Sequence, residues 1–165
     1  MQHTHAATRK EDPEAGFTLI ELMVVVLIIA ILIAVLIPTF VGAKQRAQDR
    51  AAQASLRNGL TAAKVVYSDR GDYTLATVAG LTAVEPSLAF VAAGSASSGP
   101  NSISVDPVST SYVVMAGLSN SGTCYFVSDD PSAAGAGVRY AKAASGGCTA
   151  SSAPAPGNPA WGSTW

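Results

Sequence analysis

The chain has 165 residues, 48% of them apolar and 13% charged, with a formal net charge of −1 and a mean hydropathy of +0.30. That length holds one compact domain with an appended segment and excludes a large multidomain enzyme. The near-neutral charge excludes a nucleic-acid binder that works through bulk positive charge.

Residues 1–16 hold Arg9 and Lys10 against Glu11, Asp12 and Glu14. The apolar excess then arrives in one block. From Leu22 to Ala43 the chain reads LMVVVLIIAILIAVLIPTFVGA, 22 consecutive residues without a charge. At about 1.5 Å per residue such a helix spans roughly the ~30 Å hydrocarbon core of a bilayer, which argues against a wholly cytosolic protein. As the h-region of an ordinary secretory signal, cut at Val41-Gly42-Ala43, the run exceeds the usual ~7–15 residues and Glu21 intrudes before it. As a plain single-span anchor, its flanking Lys and Arg counts place the C-terminus in the cytoplasm. The cysteines favour an oxidising compartment instead. A third reading has to explain Glu21 and the basic flank together.

Residues 44–68 are rich in Ala, Gln, Arg and Lys, which favour helix. Ala52, Leu56, Leu60, Ala63 and Tyr67 recur at spacings of 4, 4, 3 and 4, one apolar stripe that predicts packing on the domain that follows. Ser68-Asp69-Arg70-Gly71-Asp72 is the stop. A helix from Thr18 to Ser68 is about 75 Å long, much longer than the helices of globular domains. Lys44, Arg46, Arg50, Arg57 and Lys64 either grip DNA phosphates or solvate a helix face that meets acidic heads or lipid headgroups. The segment interleaves no aromatics among them, which favours the second reading.

From 69 to 148 the sequence alternates turns with short β-like runs. Tyr112–Gly117, Thr123–Ser128 and Gly137–Lys142 are strand candidates, with a further short one at Ser102–Val105, and Ser119-Asn120-Ser121-Gly122 is a hairpin turn. Residues 75–90 read as a loop with a short element, and Ala93–Pro100 as a flexible Gly/Ser-rich connection. The fold class is α+β, an antiparallel sheet packed on the helix stripe.

Cys124 and Cys148 are the chain's two cysteines. A disulfide between them contributes roughly 3.5 kcal/mol on the chain-entropy model. Zinc, the alternative, lacks partner ligands. His3 and His5 are the only histidines and both precede residue 16, so the rest of the chain holds no Ser-His-Asp or Cys-His arrangement. Asp129-Asp130 reads as a solvated turn in preference to a calcium site. No metal, cofactor or enzymatic activity is expected. Residues 149–165 read as a flexible Pro/Ser/Ala-rich tail, unless Trp161 and Trp165 dock on a neighbouring head.

Gly16-Phe17-Thr18-Leu19-Ile20-Glu21-Leu22, followed by MVVVLIIAILIAVLIP, resembles the class III signal of type IV pilins and type II secretion pseudopilins. The likeness is close over residues 16–50 and is one of general layout beyond. It implies that a prepilin peptidase cuts after Gly16, that the new amino group of Phe17 is methylated, and that the apolar helix is retained. Basic residues after the span are common in that family, which removes the orientation conflict. The leader departs from the usual basic pattern through Glu11, Asp12 and Glu14. Calcium binding at Asp129-Asp130 would be allowed by the likeness to major pseudopilins.

The chemistry of Glu21 points the same way. A carboxylate at the centre of a membrane helix costs about 2.5–3.5 kcal/mol on insertion scales, so one that persists tends to have a function. It either snorkels to the interface or pairs with the Phe17 amino group of a neighbouring subunit and so fixes axial register. Pro38 removes one helix hydrogen bond and Gly42 adds local freedom, a kink in the apolar-to-basic helix.

These expectations assemble into leader 1–16, filament-core or transmembrane helix 17–43, amphipathic continuation 44–68, disulfide-bearing head 69–148 and tail 149–165. The function expected is a structural subunit of an extracellular pilus-like filament, with a pseudopilin of a type II secretion or DNA-uptake machine as the alternative. Its expected partners are copies of itself, minor pilins, the prepilin peptidase and methyltransferase, an inner-membrane assembly platform and, before assembly, lipid. Nucleic acid is weakly supported. The precursor is expected as a single-pass cytoplasmic membrane protein, the assembled form at the cell surface.

Overall fold

The computed structural model describes residues 16–132, 137–144 and 146–165. Contacts divide the chain into a unit that ends at Val41 and another from Gly42 to Trp165.

Helix α1 runs from Leu19 to Arg70, two residues beyond the stop expected at Ser68. Its termination is the one the sequence announces. Gly71 takes φ +67°, open to a residue without Cβ, and its N–H reaches back to the Tyr67 carbonyl at 2.6 Å. The residues that α1 buries all lie between Ala52 and Ala63: Ala52, Ser55, Leu56, Gly59, Leu60, Ala62 and Ala63. This is the predicted stripe, widened by small residues that let the helix approach the sheet. A Cβ built on Gly59 would stand 2.8 Å from Ile103 Cδ1, and one on Gly117 would stand 3.1 Å from Leu56 Cγ.

After a 3-10 turn at Tyr73–Leu75, helix α2 spans Val78–Val84, with Thr77 as its cap. Five strands follow: β1 (Ala89–Ala92), β2 (Ser102–Asp106), β3 (Val113–Leu118), β4 (Thr123–Asp130) and β5 (Gly137–Ala144), in sequential order across one sheet. β1 and β2 are parallel and the other neighbours antiparallel. The four expected strands are present. β1 and α2 lie in the stretch expected to be mostly loop. The expected hairpin turn joins β3 to β4, with Gly122 at φ +91° and Ser119 N–H donating to the Thr123 carbonyl at 2.9 Å.

The sheet buries both faces, as alternation along the strands dictates. Ile103, Val105, Val113, Met115, Tyr125 and Val127 pack in one core with Leu56 and Leu60 of α1. Val114, Ala116, Cys124, Phe126 and Ala141 point the other way, where Cys148 and Trp161 cover them. Cys124 and Cys148 form the expected disulfide, with their Cα atoms 5.5 Å apart.

Two expectations of flexibility need correction. Ala93–Pro100 is fastened through the buried Ser97: its N–H donates to the Cys148 carbonyl at 2.8 Å, its Oγ donates to the Ser102 carbonyl at 2.6 Å, and that same oxygen accepts from Leu118 N–H at 2.8 Å. Residues 149–165, expected as a mobile tail, dock on the chain's own sheet. Trp161 is buried in the second core, and its indole N–H reaches the Pro154 carbonyl at 2.9 Å. Gly162 exchanges two 2.9 Å backbone hydrogen bonds with Tyr140 on β5. Trp165 then packs on Tyr140 and Tyr125, and its N–H donates to the Phe126 carbonyl at 2.9 Å. Burial of the two indole rings outweighs the Pro/Ser/Ala composition.

Candidate functional site

The residues expected to direct processing and assembly lie at the start of α1. Gly16 and Phe17 precede the helix, and both are exposed, Phe17 at 87%. Of the expected leader only Gly16 falls among the described residues; 1–15, with His3 and His5, lie outside them.

Thr18 caps α1, and Glu21 returns to it. The Thr18 N–H and O–H donate to Glu21 Oε2 at 2.9 and 2.8 Å, while the Glu21 N–H donates to Thr18 Oγ1 at 3.3 Å. This is a reciprocal capping box, which satisfies backbone donors that a helix start otherwise leaves open. The T-x-x-E spacing before an apolar run is its sequence signature, a role that neither snorkelling nor pairing with a neighbouring subunit includes.

Beyond Glu21 the unit ending at Val41 buries none of its large apolar side chains. Leu22, Ile28, Leu32, Leu36 and Phe40 are all about half exposed or more, and α1 is long and apolar enough to cross a membrane. A surface this apolar is stable in water only if lipid or protein covers it. Pro38 lies inside the helix, which continues through both Pro38 and Gly42; having no N–H, it offers nothing to the Ala34 carbonyl.

In the second unit the acidic residues act as fasteners. Asp129 and Asp130, expected in a turn, end β4 instead. Asp129 is buried, accepts from the Tyr73 phenol at 2.5 Å through Oδ2, and pairs with Lys64 Nζ at 3.1 Å through Oδ1. Burial pushes the Tyr73 phenol far above its usual range, and the Asp129 charge adds to the rise. Asp49 accepts hydrogen bonds from the hydroxyls of Ser119 and Ser121 in the β3–β4 turn. Burial pushes its carboxyl up, but the hydrogen bonds from Ser121, Ser119 and Tyr125 and the charge of Lys142 together hold it below the usual carboxylate range. Among the described residues no three His, Cys, Asp or Glu side chains gather as a metal site.

Residues 13–37 match the family described as the prokaryotic N-terminal methylation motif. That motif is the class III signal found in type IV pilins and pseudopilins. The match covers Gly16, Phe17 and Glu21, the residues the resemblance singled out, and stops one residue before Pro38. No curated protein and no solved structure matches the chain significantly. The class III signal and the apolar helix fit a membrane-anchored precursor of the pilin or pseudopilin kind.

Proposed function

We propose that this chain is a structural subunit of an extracellular type IV pilus-like filament. In this reading it is inserted in the cytoplasmic membrane as a single-pass precursor, cut after Gly16 by a prepilin peptidase, methylated on the Phe17 amino group and polymerised through Phe17–Val41. The observation that carries the reading is a methylation motif at residues 13–37 set on a helix whose apolar side chains are uncovered to Val41. Membrane lipid covers that surface before assembly, and copies of the chain, with minor pilins, cover it afterwards. An inner-membrane assembly platform moves the subunit from one environment to the other.

Glu21 has two roles here. Its hydrogen bonds to Thr18 hold the helix start. In the filament its carboxylate faces the methylated ammonium of a neighbouring Phe17, and the penalty for leaving either charge alone fixes axial register. Pro38 and Gly42 are the points where the helix bends when copies pack. The Cys124–Cys148 disulfide suits a head exposed to an oxidising exterior.

The methylation motif is common to pilins and pseudopilins, so a pseudopilin of a type II secretion or DNA-uptake machine is the second reading. Electron microscopy of sheared cell material, with N-terminal sequencing of the filament subunit, tests the proposal. Long filaments whose subunits begin with N-methyl-Phe17 support it. Cleaved, methylated subunits that stay in the envelope and shear off no filaments favour the pseudopilin, and a mature chain beginning elsewhere than Phe17 defeats both readings.

A further inference from the structure

Arg46, Arg50, Arg57 and Lys64 recur along α1 at spacings of 4, 7 and 7, which sets them on one stripe of the helix. The later two are engaged: Arg57 lies over the Trp165 ring at 4.8 Å and Lys64 pairs with Asp129. Arg46 and Arg50 are exposed, as is Lys44, and none of the three has an acidic partner among the described residues. They stand at the end of the second unit that holds the β3–β4 turn, because Asp49, between them in sequence, is held by Ser119 and Ser121.

The opposite end of the same unit carries more acid than base. Asp69 and Asp72 flank the end of α1, where Arg70 also lies, and Asp106 closes β2. Sheet register sets Asp106 opposite Val114, one residue along β3 from Val113, which pairs with Asp129. Tyr73, which bonds Asp129, also donates its N–H to the Thr110 carbonyl at 2.8 Å, so the three carboxylates share one end. None of them has a basic partner among the described residues. From Arg46 to Asp69 α1 advances about 35 Å at 1.5 Å per residue, several times the roughly 8 Å screening length of physiological salt. The two charge sets therefore cannot neutralise each other within one copy.

We infer that these ends form a self-docking surface, in which Lys44, Arg46 and Arg50 of one copy seat against Asp69, Asp72 and Asp106 of another. Three cations and three anions that make no ion pair among the described residues, carried on opposite ends of one folded unit, complement each other only between copies placed end to end. Such pairs contribute register and partner choice more than affinity, because like charges brought face to face are strongly penalised. This rests on the filament reading above and adds to it which surfaces of the second unit meet.

A charge-swap experiment in the full-length chain tests it. Arg46→Glu with Arg50→Glu, or Asp69→Lys with Asp106→Lys, each lowers sheared filament yield about tenfold, the equivalent of roughly 1.4 kcal/mol. All four substitutions in one chain restore the yield. Leader cleavage, membrane level and disulfide formation, measured on every variant, report that the chain still folds and is processed. Wild-type yields from either pair alone overturn the proposal, as does failure of the fourfold variant to recover while processing is intact. A loss of binding to phosphatidylglycerol vesicles that accompanies only the arginine pair, with the aspartate pair assembling normally, assigns the cations to lipid and also overturns it. An absence of filaments from the wild-type chain defeats the filament reading itself and is seen before any variant is made.

Discussion

The Tyr73 phenol donates to Oδ2 of Asp129 across 56 positions of sequence, 2.5 Å from oxygen to oxygen, and both side chains are buried. It ties the turn after α1 to the end of β4. Lys64 completes the arrangement from the helix at 3.1 Å. Tyr73 also stacks on Tyr67, ring centroids 4.5 Å apart, so its ring stays covered if the hydroxyl is removed.

Tyr73→Phe therefore isolates the hydrogen bond. Removing a donor from a buried carboxylate is expected to cost about 1.5–3 kcal/mol. Urea unfolding of the detergent-solubilised chain, followed by tyrosine and tryptophan fluorescence, measures it. An unchanged midpoint would show that the pair adds nothing.

Gly59 tests the helix-to-sheet approach. Gly59→Val places branched carbons where even a Cβ stands 2.8 Å from Ile103 Cδ1 and 3.4 Å from both Met115 Sδ and Phe90 Cε1. The expected loss is about 1–3 kcal/mol from overpacking, which outweighs valine's higher helix propensity relative to glycine. The same urea titration detects it, and near-wild-type stability would mean that α1 and β2 are not in contact at this point.

Much of this packing was legible from sequence, and the rest was hidden for identifiable reasons. The stripe through Ala52, Leu56, Leu60 and Ala63 and the turn at Ser119–Gly122 depend on local periodicity and turn chemistry, and both are present as read. β1 has four residues, AFVA, and its parallel ladder to β2 requires a partner beyond the Ser97 connection, which no local pattern discloses. α2, VAGLTAV, contains valines and a glycine that lower helix propensity. Lys64 looked like a solvated cation because Asp129 reaches it only through the register of the sheet. Trp161 and Trp165 stand out in the sequence, but composition alone does not say which sheet they cover. In the first unit the motif is legible because its residues are contiguous and matched as one run, while the Thr18–Glu21 box inside it is established only by the hydrogen bonds.

Asp49 supplies a pH dependence. Its folded-state carboxyl is held below the ordinary value, so its contribution to stability is fully present above the unfolded pKa, near 4, and is lost as pH falls through the lower folded value. The stability gap between wild type and Asp49→Asn is expected to be constant above about pH 5 and to narrow below about pH 4. Thermal unfolding across pH 3–7 follows it; a gap that widens with acidity would contradict the sign.

Glu21 separates helix capping from charge pairing. Glu21→Ala removes both and is expected to reduce filament assembly while sparing cleavage after Gly16. Glu21→Gln keeps an acceptor for Thr18, since glutamine also serves in a capping box, but removes the charge. If charge sets register, the glutamine variant fails like alanine, by about tenfold or more in sheared filament yield. Wild-type assembly by Glu21→Gln would assign the residue to helix capping alone.

The Tyr140–Gly162 pairing also bears on solubility under crowding. An open strand margin invites backbone pairing with any other chain, a hazard for molecules that are to be stacked closely. Here β5 has part of its outer margin taken by the chain's own residue 162, and the opposite margin, β1, is only four residues long. Copies brought together at high local density are thereby steered away from indiscriminate strand addition, so that side-chain shape and charge decide how they associate.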